Sequence, residues 1–511
     1  MHPILSRNSQ VINGMLGKAQ TVMVVLVVLL LAQSLRAVTL ADFGYQNWKV
    51  NGTLATGSRP ALVILVNFPG QTLPQSASFY SNTVFNAAQT SMNGFYQAVS
   101  DGAFGIRPGG VVSLTLPHSQ CFTNYEIQGV TPPFAGDPIY VSNIVANAMS
   151  SGQFNFSAYD ARHDGHITPD ELAILIISAD TSLSGLFGGS RPCPTVSVPG
   201  LNYDWGPGTN DPFPAVALMG YFSPFIVWCE ELEETWGTKD IYDANMYCPS
   251  MTLSPQSCFF NYSQTNFVFG SYYYLDPWDR LELGWCRPRI YSLTAGGIAT
   301  ISAAQAGDPT SPIILYDPAR GPGEFYILEY RTSTNSVYGP GYDLGAGNDL
   351  SNPVSYGLVI WHVQLNAGYN LIKVTDPNGI TNTTSVWSEN SPDLTPGQEP
   401  VLWGSNAYTP NLKWMDGTPT LTTIHVKPFN PGDNTITVEW LSAEDTWVDF
   451  NYNGSPQSGT LSNPFNTMAA GISGVSYGGT LHLKTGASAE TPVVTKPMKI
   501  VGYNGPASVG F

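Results

Sequence analysis

Residues 60–67 form an unbroken apolar run bounded by Pro60 and by Pro69-Gly70, which predicts a strand buried on both faces. From 81 to 99 the period changes: Val84, Phe85, Ala88, Met92, Phe95, Tyr96 and Val99 fall on one stripe and predict a helix covering that strand. A second helix is predicted at 138–149 and another buried strand at 172–178. Residues 184–214 are rich in Gly, Pro and Ser without a sustained period, the mark of a long loop or insertion. Between 225 and 236, Phe225, Trp228, Cys229, Leu232 and Trp236 recur at spacings of three and four, opposite a face carrying Glu230 and Glu234, and predict a helix. Beyond Trp285, short apolar runs such as 324–330, 357–361 and 434–440 alternate with turn-rich stretches, which is the grammar of a β-sandwich-like region. From 446 to 511 the composition shifts toward Gly, Ser and Thr with short strand-like runs, giving a third unit.

The pattern therefore divides the chain into an α+β domain at 59–290, a β-rich domain at 291–445 and a short β-rich C-terminal segment at 446–511. Ahead of these, residues 1–37 have the layout of an export signal peptide. Arg7 and Lys18 precede an apolar run at 22–31, and Ala32, Ser34 and Ala37 supply small residues for cleavage. Residues 38–58 are then a short lead. The apolar run is shorter than the ~20 residues of a transmembrane helix, so no stable transmembrane anchor is expected after cleavage. A secreted or cell-surface protein is expected.

Composition narrows the partners. The chain has 511 residues, only 11% of them charged, with a formal net charge of −17, and contains 51 Gly and 40 Pro. This balance repels nucleic acid and lacks the basic surplus that holds proteins to anionic membranes. The expected partner is an extracellular protein or peptide, or a cell-surface component. Six cysteines make an even set, which in an exported chain predicts disulfides whose pairing the sequence leaves open.

The acidic helix carries the chemistry. A zinc peptidase places two His at i and i+4 around one Zn²⁺, with a Glu after the first His as base for the metal-bound water. Residues 230–243 follow the register HExxHxxGxxD, but with Glu at both His positions, then Gly237, Asp240 and an Ile-Tyr-Asp tail. Further landmarks occur in order: the strand at 61–68, the helical stretch at 91–100, the acidic loop after Tyr159, 281–285, 329–331, 341–343 and 357–363. On these residues, over roughly 59–365, the chain resembles the immune inhibitor A family of secreted metallopeptidases, which are zincins. Gln364 stands where the family usually has Asp.

The resemblance implies that Glu230 and Glu234 occupy the zinc-histidine positions, Glu231 that of the general base and Asp240 that of a third metal ligand. Met251 is the Met-turn candidate. Zinc is the family's cofactor, but three carboxylates form a hard oxygen set suited to Ca²⁺, Mg²⁺ or Mn²⁺. A bound water would also be less acidic there than on a neutral-histidine zinc site. The expectation is a zincin-like fold without bound zinc, in a catalytically impaired pseudopeptidase with a binding role. The alternatives are a divergent metalloendopeptidase hydrolysing extracellular proteins and a surface adhesin or structural module. Seven histidines are available to replace the lost ligands: His2, His118, His163, His166, His362, His425 and His482. Only His362 lies on a family landmark, making it the candidate site histidine.

Calcium is the second candidate cofactor. Residues 160–171 fit EF-hand spacing, with the acids Asp160, Asp164 and Glu171 at positions one, five and twelve and Gly165 at six. Arg162 takes position three, where an oxygen ligand is expected. The C-terminal runs at 463–467, 478–486 and 496–500 resemble the opening coils of right-handed parallel β-helix domains of bacterial surface proteins, with room for one to three coils. This likeness points to a bacterial source.

Overall fold

The computed structural model describes residues 37–50, 52–87, 91–117, 137–180, 216–223, 225–238, 275–332 and 356–365. It also describes 403–510 apart from a few short breaks, and short strands between these blocks. The export-signal and Met-turn expectations fall outside these residues. Among the described residues the protein is a mixed α and β structure with several sheets and few helices, and no helix is long and apolar enough to cross a membrane.

The first unit is built on a five-stranded sheet of order β2-β1-β4-β8-β5. Its strands are β1 (Gly57–Asn67), β2 (Phe104–Thr115), β4 (Ala173–Ser178), β5 (Gly189–Arg191) and β8 (Val216–Gly220). All pair in parallel except the edge strand β5, which runs antiparallel to β8. The continuous apolar runs are explained by burial on both faces, because alternate residues of β1 and β4 enter opposite cores. Ala61, Val63, Leu65, Leu175 and Ile177 pack with α1 (Ala77–Phe85), α2 (Met92–Val99) and α4 (Phe225–Glu234). Leu62, Ile64, Val66, Ile174 and Ile176 pack with α3 (Asp137–Ser150). A small sheet of order β3-β7-β6, from β3 (His166–Ile167), β6 (Val196–Val198) and β7 (Leu201–Tyr203), lies beside it in the chain order.

The single helix predicted at 81–99 is two helices. Asn86 turns extended at the end of α1, and Ser91 starts α2 by accepting from the Gly94 amide at 3.0 Å. The apolar stripe survives the break because both helices lie on the same face of the sheet, so periodicity alone could not reveal it.

In the second unit a seven-stranded sheet has the order β10-β12-β13-β14-β15-β16-β9. It comprises β9 (Ile241–Tyr242), β10 (Arg289–Ser292), β12 (Ile313–Tyr316), β13 (Glu324–Thr332), β14 (Tyr356–Gln364), β15 (Leu371–Val374) and β16 (Val386–Glu389). A three-stranded sheet of β11 (Gly297–Ser302), β18 (Thr435–Ser442) and β17 (Thr422–Val426) shares a core with it, through Leu315, Leu328, Ile360, Ile424, Val438 and Trp440. Two sheets thus face one another over one apolar layer, with strand β9 contributed by the segment that follows α4.

The C-terminal segment carries β19 (Thr446–Val448), α6 (Met468–Gly474), β20 (Thr480–Ser488) and β21 (Lys499–Val509). The three strands are parallel, with Trp447 opposite His482 and His482 opposite Val501. The Trp447 and His482 rings stack at 4.3 Å across the neighbouring strands β19 and β20.

Where the first two units meet, α5 (Pro277–Glu282) carries Arg280 into a fully enclosed ionic network. Its guanidinium contacts Asp101 at 3.0 Å and Glu329 of β13 at 3.3 Å, and Glu329 also binds Arg331 at 2.7 Å. The lead segment closes over this junction: Phe43 packs edge-on against Phe325 at 5.0 Å, and the amides of Gln46 and Trp48 donate to the Leu281 and Glu282 carbonyls. Removing one member of a buried ionic group leaves the remaining charges uncompensated. Arg280→Met is expected to lower the unfolding free energy by about 3–5 kcal/mol, read from denaturant midpoints at constant m.

Candidate functional site

Helix α4 is amphipathic in sequence, yet three of its acidic positions, Glu231, Glu233 and Glu234, do not face solvent. Trp228, Cys229, Leu232 and the following Trp236 enter the first core, as their spacing predicts. Glu231, Glu233 and Glu234 are also buried, at 2%, 0% and 7% exposure. The helix is pinned to α2 by the Tyr96 hydroxyl, which donates to the Cys229 carbonyl at 2.6 Å. Burial, followed by the nearby Cys229 and Glu233, pushes the Tyr96 phenol well above its ordinary range, so it stays a donor.

The helix ends where the motif register puts its glycine. The amides of Trp236 and Gly237 bond back to the Glu233 and Glu234 carbonyls at 2.8 and 3.0 Å, and Gly237 adopts a left-handed φ of 103°. Any other residue would be strained at that φ. Ile241 and Tyr242 of the same motif tail form β9 and join the edge of the second sheet against Glu389 and Ser388.

Of the predicted site residues, Glu231 and Glu234 therefore share one buried helix with Glu230, whose side chain lies outside the described residues, as do Asp240 and Met251. His362 is on β14, buried, with Nε2 at 2.7 Å from Glu324 Oε1 and its ring stacked on Tyr326 at 4.3 Å. The Glu324 carboxyl also accepts from the Met415 amide at 2.6 Å. The partners described for His362 are thus those of a side chain fixed within the β-rich unit. Among the described residues, no three His, Cys, Asp or Glu side chains come together in an arrangement that could hold a metal. Carboxylates at the two histidine positions do not supply the nitrogen donors that zinc favours.

The expected disulfides involve Cys121, Cys193, Cys248 and Cys258, which lie outside the described residues, together with Cys229 and Cys286. Cys286 is a buried thiol whose Sγ approaches the Pro277 carbonyl at 3.7 Å, and burial pushes it up to about 12.

The residue that motif reasoning passed over is Glu233, a spacer position in the register. It is fully enclosed, and among the described residues neither of its carboxyl oxygens has a hydrogen-bond partner. Burial first, and then the charge of Asp276, push its carboxyl well above the ordinary range, which favours the protonated form. The signal available in the sequence was its place three residues before Trp236 and four after Cys229, both core positions.

The calcium candidates lie elsewhere, on the connection leading into β4. Asp160 accepts from the amides of Asp164 and Gly165 at 3.1 and 3.0 Å, and Asp164 accepts from the His166 amide at 2.9 Å. Glu171 is buried and takes the Arg162 amide on Oε1 at 3.1 Å.

Models of known protein families give no match to this chain, and comparison with curated proteins finds no significant similarity.

The folded chain keeps the Glu233 proton after the unfolded chain has released it. This group's share of stability is therefore complete below the unfolded carboxyl pKa and is lost as pH rises toward the folded value. Glu233→Met removes that dependence, so the variant should gain on the wild type by up to about 1.4 kcal/mol per pH unit between the unfolded carboxyl value and the raised folded one. Urea unfolding of both proteins at about pH 5 and about pH 7 measures the widening gap.

Proposed function

We propose that the chain is an exported, catalytically impaired relative of the zincin-type metallopeptidases, retaining the fold as a binding module for an extracellular protein or peptide or a cell-surface component. The observation that carries this reading is the state of α4. It is a helix in the motif register, closed by Gly237 at a left-handed φ of 103°, but with Glu231 and Glu234 buried at 2% and 7% exposure.

The register supports descent from a metal-binding helix, since a glycine is needed at that turn and stands there. The carboxylates support the loss of chemistry. A general base must reach the proton it removes, directly or through one water. Glu231 is enclosed with its helix against the first core at 2% exposure, which counts against that role. Glu234 contributes an oxygen donor where zinc takes nitrogen, so no catalytic step is assigned to zinc.

Recognition needs neither the base nor the metal. It needs a surface held in place by rigid elements, and the sheets of the two larger units can supply one.

The purified chain, incubated with fluorescently labelled casein, should bind without cleaving: anisotropy rises while fragment release stays at the level of a protein-free control. Glu230→His combined with Glu234→His should increase zinc uptake measured by elemental analysis. Cleavage by the wild type that disappears in Glu231→Gln would overturn the proposal.

A further inference from the structure

The loop at 160–171 has the backbone of a calcium-type loop and the wrong residue at its third position. Its sixth residue, Gly165, adopts a left-handed φ of 81°. The first-position carboxylate, Asp160, accepts from the amides of the fifth and sixth residues at 3.1 and 3.0 Å. The eighth residue, Ile167, enters β3 and is buried. In a metal-binding loop of this class the twelfth-position Glu chelates the ion with both oxygens, and the third residue supplies another oxygen.

Here both oxygens of the twelfth residue are committed otherwise. Glu171 Oε1 accepts from the Arg162 amide at 3.1 Å. Its Oε2 lies 3.0 Å from Arg162 Nη1 and accepts from the Thr168 amide and hydroxyl, each at 3.2 Å. The other guanidinium nitrogen, Nη2, bonds Asp170, which also accepts from Thr53 Oγ1 at 2.9 Å. The Arg162 Nη1 atom donates as well to Thr168 Oγ1 at 2.8 Å. The side chains of Asp170 and Glu171 are only 2% and 5% exposed, whereas Arg162 is 36% exposed. The Arg162 guanidinium, reaching inward from the surface, thus pairs with two enclosed carboxylates.

We propose that the guanidinium of Arg162 replaces the divalent cation of this loop, so that residues 160–171 fold without calcium and bind none. The charge a metal would supply is carried in cis, by the residue whose position should have ligated it. A Ca²⁺ ion would have to displace the guanidinium from Glu171 and would then meet a positive charge at its own third ligand position. The consequence for the fold is local and direct. The loop delivers the chain into β4, the middle strand of the first sheet, and its closure no longer depends on the calcium level outside the cell. This inference is independent of the function proposed for α4.

Two measurements on the full chain test it. In the first, calcium titration calorimetry compares the wild type with Asp164→Ala: equal stoichiometry is expected, and one site fewer in the variant would overturn the proposal. In the second, thermal unfolding is followed in EDTA and in millimolar calcium for the wild type, Arg162→Gln and Arg162→Asp. Both variants should melt lower than the wild type in EDTA, by roughly 5–15 °C. Calcium should restore most of that loss in Arg162→Asp, which returns an oxygen ligand to position three, and little of it in Arg162→Gln. A folded Arg162→Asp that gains no more from calcium than the wild type does would show that the guanidinium is not standing in a metal position.

Discussion

A guanidinium enclosed between a carboxylate of the first unit and one of the second dictates how this protein is put together. Arg280 reaches Asp101, at the turn between α2 and β2, and Glu329, in the middle of β13, and none of the three is exposed to solvent. Charges removed from water tolerate little displacement, since each lost contact leaves an ion uncompensated. The first sheet and the seven-stranded sheet are therefore held in one relative position. The apolar layer around Trp278, Phe325 and Trp361 packs to fit that position.

The same problem, a carboxyl far from water, recurs and is solved in different ways. At the 160–171 loop a guanidinium comes in from the surface. At the junction two arginines share Glu329. At Glu233 neither carboxyl oxygen has a hydrogen-bond partner among the described residues, and burial pushes the carboxyl toward its neutral form instead. With 20 Lys and Arg against 37 Asp and Glu, cations are the scarce partner, and where one is placed carries information. The acids of α4 belong to this account as much as to any catalytic history, because an enclosed carboxyl that has to be kept neutral or paired is a cost that a working metal site would have repaid with its ion.

Much of the architecture was legible. The apolar runs at 60–67 and 172–178 are β1 and β4, and the three-and-four spacing around Trp228 and Leu232 is α4. These signals are local and repeated, so several residues vote together. The split between α1 and α2 was hidden because its cause is one cap at Ser91, which leaves the stripe of apolar residues unchanged. The ionic junction was invisible for another reason. Asp101, Arg280 and Glu329 are single charges far apart in sequence, with no period to mark them as partners. The sequence identified Arg162 as a departure from the calcium pattern but gave no sign of what its side chain holds. Glu233 was counted as a spacer in the motif, although the helix period places it toward the core. For the site as a whole, register could be read from the sequence, whereas burial, which decides what the carboxyls can do, could not.

The contact between Phe43 and Phe325 also sets an order of events. The lead segment is made before its partners in β12 and β13, which come hundreds of residues later, as does α5. A junction whose two sides are so far apart in sequence forms late, after each sheet has found its own strands. Until then the ring of Phe43 and the apolar side of α5 are open to other chains. This interval is when help from a chaperone would matter most.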